Sequence, residues 1–201
     1  AEGGRYRRHS GQIRIAMLPE ISLHILDVAE NSVRAGATLV RIEVLADTAE
    51  NTLSVTIADN GCGMSEEQLA KVEDPFFTTR NTRKVGLGIP FFKQAALATG
   101  GSFSIRSKEG EGTVTKAVFV LDSIDRMPLG DMTATIHTLV TCHEEMDFYY
   151  RYDCDGRGFV LDTREMKEIL GNVPPGLPEV SGFIKEYLET NHREADGGNV
   201  L

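Results

Sequence analysis

Asp27-Val28-Ala29-Glu30-Asn31-Ser32-Val33-Arg34-Ala35-Gly36-Ala37-Thr38 is the stretch on which the fold turns. After Pro19, Ile21, Ile25, Val28 and Val33 recur at helical intervals, and Ala35-Gly36 stops the run. Within that helix Asp27 and Asn31 are four apart and share one face. An amide oxygen such as that of Asn31 suits Mg2+, a hard ion that keeps several waters and bridges to substrate phosphates. A carboxylate one turn earlier can orient a water or hydroxyl for attack on a γ-phosphorus. Alone the pair is weak, because Asp and Asn on a helix are most often solvated.

Downstream of this helix, Leu39 to Leu45 and Leu53 to Ala58 alternate apolar with polar residues around a polar turn, Asp47 to Asn51, and read as an antiparallel pair. Ser65-Glu66-Glu67 opens a short helix. Asp74 to Gly86 has no period and reads as a loop. Helical spacing resumes from Leu87 to Leu97 and ends at Gly100-Gly101, and strands follow at Ser102 to Ser107 and Thr113 to Leu121. Such an element list predicts a two-layer α/β sandwich of the α+β class.

Three further features bear on chemistry. Asp59-Asn60-Gly61-Cys62-Gly63-Met64 follows an apolar strand directly, where a carboxylate can accept from the exocyclic amine of adenine and Gly61 and Gly63 let a flat base approach the backbone. The plainer reading is a turn. Gly86-Leu87-Gly88 opens a helix and is preceded by Arg80, Arg83 and Lys84, an arrangement that favours phosphate. Gly110-Glu111-Gly112-Thr113 enters the last strand and otherwise passes for a hairpin turn.

The four together, in this order and spacing, resemble the ATP-binding domain shared by gyrase, histidine kinases and mismatch-repair ATPases, the Bergerat or GHKL fold. Asp27 to Thr38 resembles its N-box and Asp59 to Met64 its adenine box. Phe76-Phe77-Thr78-Thr79-Arg80 with Gly86-Leu87-Gly88-Ile89 resembles the short lid of sensor histidine kinases and anti-sigma-factor serine kinases. The resemblance implies ATP and Mg2+ as ligands. It implies Asn31 on the metal, Asp59 on adenine with Gly63 and Thr113 in support, the amides around Gly86, Leu87 and Gly88 on the phosphates, and Lys84 as a basic phosphate contact. It makes Asp27 the base, although the hydrolysing and serine-phosphorylating branches usually carry Glu there.

These readings divide the chain into a mobile arm at 1–12, an ATP-binding domain at 13–122, and a small acidic α/β appendage at 123–201. In the appendage Asp131 is placed to cap a helix, and Phe148 to Tyr152 and Phe159 to Leu161 flank an Asp155-Gly156 hairpin turn. Asp162 and Glu165 have capping-box spacing ahead of a helix ending at Gly171, and Pro178 to Leu188 is a last helix. Tyr149, Tyr150 and Tyr152 read as core more than as a docking patch.

Charge is divided unevenly. Residues 1–124 carry 14 basic and 15 acidic groups, and residues 125–201 carry 7 and 15. An acidic tail argues against nucleic acid as its direct partner and suits a basic or neutral protein surface better. With no long apolar run and no signal-like start, cytoplasm is the expected compartment, and no membrane partner is expected. Cys62, Cys142 and Cys154 lack metal-site spacing and read as reduced thiols, Cys62 as buried filling.

Three functions stay open, and an ATP-hydrolysing domain of the gyrase or mismatch-repair type ranks below them, because residues 123–201 offer only Lys167 and Lys185 as a transducer lysine. A stand-alone serine or threonine kinase of the anti-sigma-factor type fits the N-box and size best. A histidine-kinase-type domain needs a separate acceptor, because no phosphoacceptor hairpin is expected in the roughly twenty residues ahead of the first helix. A non-catalytic ATP-gated module is the third. The expected partners are ATP and a protein partner or phosphoacceptor, with homodimerisation among the tail's open roles.

Overall fold

The computed structural model describes residues 20–72, 88–171, 173–198 and 201. The elements are α1 (Ile21–Arg34), β1 (Leu39–Asp47), β2 (Thr52–Asp59), α2 (Glu66–Lys71), α3 (Gly88–Ala98), β3 (Ser102–Lys108) and β4 (Gly112–Val120). They continue with α4 (Met132–Cys142), β5 (Asp147–Cys154), β6 (Arg157–Asp162), α5 (Thr163–Leu170) and α6 (Pro178–Asp196). Among the described residues six strands form one sheet in the order β3-β4-β2-β1-β5-β6.

Alternation in the strands decides which face is covered. Val40, Ile42 and Val44 of β1, Leu53, Val55 and Ile57 of β2, and Ala117 and Phe119 of β4 all point to the helices and are buried. On the opposite face Arg41 lies 4.2 Å over the ring of Tyr149, a cation–π contact between neighbouring strands. Helix α1 packs against both α3 and α4, and α4 against α6, so four helices lie side by side over the sheet. This is the expected two-layer α/β sandwich.

The C-terminal segment extends those layers. β5 runs parallel to β1, with Val40 opposite Phe148 and Val44 opposite Tyr152. β6 returns antiparallel through the Asp155-Gly156 turn. Phe148, Tyr150, Ile184 and Leu188 belong to the same buried cluster as Ile25, Ile42 and Phe92. The Thr48 amide and hydroxyl bind Asp155 at 2.8 and 2.9 Å, and the Asp147 amide donates to Thr38 at 2.9 Å, so both ends of β5 are tied to β1.

Under β5 and β6 lies an aromatic and histidine cluster. His192 accepts or donates at both ring nitrogens, to Thr133 Oγ1 at 3.0 Å and Tyr150 OH at 2.7 Å. The rings of Tyr152 and Phe159 approach it edge-on, at 4.7 and 5.0 Å. Burial lowers its pKa to about 4, against partial opposition from Asp196 and Asp131. Phe148, Tyr150 and Tyr152 are core, as the sequence predicts, while Tyr149 faces outward beneath Arg41.

Some local expectations are corrected. The Asp162 side chain accepts from the Arg164 amide at 3.0 Å, without the reciprocal bond from Glu165 that a capping box requires. A true capping box forms at Ser65 and Gln68. Helix α6 continues to Asp196, ending on left-handed Gly197, two turns beyond the expected Leu188. Among the described residues no helix is long and apolar enough to cross a membrane.

Candidate functional site

Asp59 closes β2 and is held from two directions. Ser32 Oγ on α1 donates to Asp59 Oδ2 at 2.7 Å, and the Gly61 amide donates to Oδ1 at 2.9 Å. The carboxylate is thereby fixed between helix and strand with lone pairs still available. Asn60 fastens the same loop to the chain entering β1. Its Oδ1 accepts from the Thr38 and Leu39 amides at 2.9 and 3.0 Å, and its Nδ2 donates to Thr38 Oγ1 at 2.8 Å. The Cys62 amide donates to the Ala35 carbonyl at 2.9 Å. The N-box end and the adenine-box loop are one hydrogen-bonded unit.

The far side of that unit is built by β3 and β4. Thr113 lies opposite Asp59 in the β2–β4 register. Ser107 Oγ sits 2.8 Å from Thr113 Oγ1, donates to the Gly112 carbonyl at 2.9 Å, and accepts from the Met64 amide at 2.9 Å. Backbones pass very close here. A Cβ on Gly63, whose φ is +65°, would lie 2.0 Å from the Lys108 carbonyl oxygen, and one on Gly112 would lie 2.0 Å from that of Asp59. Glycine is required at both positions by contact as well as by backbone angle.

Asp27 and Asn31 project from α1 on one face, as their spacing predicts. Asp27 lies against the start of α3, where a Cβ on Gly88 would come within 2.4 Å of Asp27 Oδ2. Asn31 Oδ1 accepts from the guanidinium of Arg34, three residues on. His24, one turn before Asp27, is fully buried, stacks on Phe92 at 6.0 Å, and has no hydrogen-bond partner at either ring nitrogen among the described residues. Burial lowers its pKa, opposed by the nearby Asp27 charge. Its role is packing.

Of the sequence-predicted site residues, Asp27, Asn31, Asp59, Gly61, Gly63, Gly88 and Thr113 thus converge on one end of the sandwich, between α1, the loop after β2 and the start of α3. Lys84, Gly86, Leu87 and the Phe76 to Arg80 stretch lie outside the described residues. Sequence reasoning missed Ser32 and Ser107, each a small hydroxyl whose partner is distant in sequence or across a strand. Cys62 is exposed, against the expected burial, because its loop is fastened through backbone amides and leaves the thiol at the surface. Among the described residues no group of three metal-ligating side chains occurs. Asn31 would offer a metal ion a single oxygen, the one now bound by Arg34, so an ion there would have to be held mainly by phosphates and water.

The family described as histidine kinase-, DNA gyrase B-, and HSP90-like ATPase matches residues 19–123. A putative sensor protein of Shewanella frigidimarina is 32% identical over 103 residues, 50% of this chain and 16% of that protein. The sensor protein kinase FleS of Pseudomonas aeruginosa is 35% identical over 105 residues, 52% of this chain and 25% of that protein. A putative sensor histidine kinase NtrY-like of Rickettsia conorii is 28% identical over 106 residues, 53% of this chain and 17% of that protein. The chain thus spans a quarter or less of these relatives. A crystal structure of the N terminal domain of a DNA repair protein superposes with a TM-score of 0.55 at 11% identity, over 80% of this chain and 59% of that one, a likeness of fold. By its sequence match and by the sandwich that carries it, the chain belongs to the histidine kinase-, DNA gyrase B- and HSP90-like ATPase family.

Proposed function

We propose that this protein binds ATP with Mg2+ at the junction of α1, the Asp59 loop and α3, and serves as the nucleotide-binding part of a histidine-kinase-type phosphotransfer system acting on a separate acceptor. The supporting observation is the doubly held Asp59 carboxylate, which Ser32 and Gly61 fix at a strand end ringed by obligatory glycines. In this reading Asp59 accepts from the adenine amine, and Gly61, Gly63 and Thr113 shape the base slot. Asn31 gives its amide oxygen to a phosphate-bound Mg2+, which would neutralise phosphate charge. Lys84 and the amides of Gly86, Leu87 and Gly88 hold the phosphates, and Asp27 orients the attacking group. Its likeness to sensor kinases supports this reading over the serine-kinase alternative.

A second reading, a nucleotide-gated binding module, draws on one contact. Asp27 packs against Gly88 at the helix start expected to receive phosphate, so the carboxylate and the phosphates compete for the same positive helix end. A thermal-shift titration with ATP and Mg2+, coupled to ADP release, separates the readings. Stabilisation by ATP that Asp59→Asn abolishes is the expected result. Equal stabilisation of wild type and Asp59→Asn would overturn the site. ADP formation in the presence of an acceptor distinguishes the kinase from the gate.

A further inference from the structure

Of the nine exposed large apolar side chains among the described residues, five fall within fifteen positions of one another in sequence. Ile169, Leu170, Val173, Leu177 and Phe183 all fall between the end of α5 and the first turns of α6. Ile169 is 83% and Phe183 58% exposed. In α5 the apolar residues Met166, Ile169 and Leu170 follow helical spacing, yet Thr163 is the helix's one buried residue. An amphipathic helix of eight residues leans on coverage of its apolar stripe, and here much of that stripe meets solvent. The Tyr187 hydroxyl donates to the Val160 carbonyl of β6, the strand leading into α5, and Glu165 is near enough to raise the Tyr187 pKa after burial has done so. Phe183 lies one turn before Tyr187, with the two rings 6.4 Å apart, and Ile169 lies one turn after Glu165.

The rim carries one sign of available charge. Its cations are paired internally, Arg164 with Asp162 at 2.6 Å, Lys167 with Asp147 at 2.7 Å and Lys185 with Glu189 at 3.8 Å. Glu165, Glu168, Glu179 and Glu186 are exposed and carry no ion pair among the described residues. A second copy would set carboxylate against carboxylate, and the chain's net charge of −9 disfavours an anionic membrane surface.

We propose that the α5–α6 surface docks a basic amphipathic segment of a partner protein, its apolar side chains over Ile169 and Phe183 and its Lys or Arg groups over the free glutamates. Lys167 anchors α5 at the start of β5, whose first amide binds Thr38, the residue also bound by Asn60. The docked segment lies at the same end of the sandwich as the Asp59 loop. The surface does not depend on the nucleotide reading.

The test uses a labelled peptide of about 18 residues, Leu and Lys in helical period, and its Leu and Glu counterpart, titrated by anisotropy against the full chain at low salt. The Lys peptide binds, the Glu peptide does not, and Ile169→Glu and Phe183→Glu each weaken binding about tenfold or more. Both variants add negative charge, so a purely Coulombic association would tighten. Unchanged or tighter binding in the variants overturns the proposal, as does equal binding of the two peptides. A concentration-dependent dimer in sedimentation, abolished by Phe183→Glu, would overturn it in favour of a second copy. Ile124→Glu, at a 98% exposed site in the loop after β4, leaves binding unchanged. Ile169 and Phe183 are exposed, so their variants melt with wild type.

Discussion

Residues 20–122 and residues 123–201 contribute to the same sheet and the same core, but they spend their special residues differently. In the first part glycines and short polar side chains bring backbones into contact around Asp59, as where Gly63 meets Lys108. In the second, the crowded Gly158 serves the β5–β6 hairpin itself, its Cβ position 2.3 Å from the Tyr152 carbonyl oxygen, and left-handed Gly156 turns that hairpin with nothing within 4 Å of where a Cβ would stand. The polar groups of that part serve packing, as His192 does between Thr133 and Tyr150. In the proposed reading, one part is shaped to leave room for a nucleotide. The other fills its own interior and keeps its apolar excess at the α5–α6 surface.

The sharpest way to break this comparison is to damage the second part and watch the first. Tyr150→Ala removes a fully buried ring and is expected to cost about 3–5 kcal/mol. Hydrogen exchange should show β2 and β5 losing protection together, since they share one core. Independent loss in β5 alone would make the second part a separate folding unit.

Gly63→Ala adds a left-handed Cβ to a clash with the Lys108 carbonyl, and about 3–4 kcal/mol of destabilisation is expected in denaturant titrations. Gly156→Ala meets open space and should cost about 1–2 kcal/mol at most. Equal costs would erase the distinction drawn between the two kinds of glycine.

Acid should act chiefly through the second part. The folded pKa of His192, about 4, lies below the ordinary 6.5, so the unfolded chain takes up the proton first as pH falls. Its contribution is fully present above about 6.5 and is lost between there and about 4, by about 3 kcal/mol. His24, also lowered by burial, adds in the same direction. In His192→Gln the acid limb of the stability curve should flatten, as measured by melting temperature against pH.

The smallest effect belongs to the first part. Ser32→Ala deletes one hydrogen bond to Asp59 and should lower ATP affinity about fivefold, near 1 kcal/mol, by calorimetry, with little change in melting temperature. A large stability loss with unchanged affinity would make Ser32 a structural residue only.

These differences also explain what could be read in advance. The β1–β2 and β5–β6 hairpins were legible because alternation and turn residues are local, and Asp27 and Asn31 because helix periodicity fixes a face. The Arg34 contact with Asn31 was within reach of the same rule, three residues apart. Ser32 reaching Asp59 was not, because it spans 27 positions and depends on how α1 lies on the sheet. The parallel pairing of β5 with β1 was likewise hidden, since period-two strands carry no mark of their neighbour. Helix α6 outran its expected end because Ala195 is buried beyond a polar stretch that breaks the apolar rhythm.

That parallel pairing has a consequence for biosynthesis. The N-terminal strand β1 sits inside the finished sheet with β2 on one side and β5 on the other. During translation its second edge, flanked by Val40, Ile42 and Val44, stays unpaired until residues 147–154 have left the ribosome. The nascent chain therefore carries an open template for foreign strands through more than a hundred codons of synthesis, and the acidic C-terminal part acts as the plug that ends this exposure.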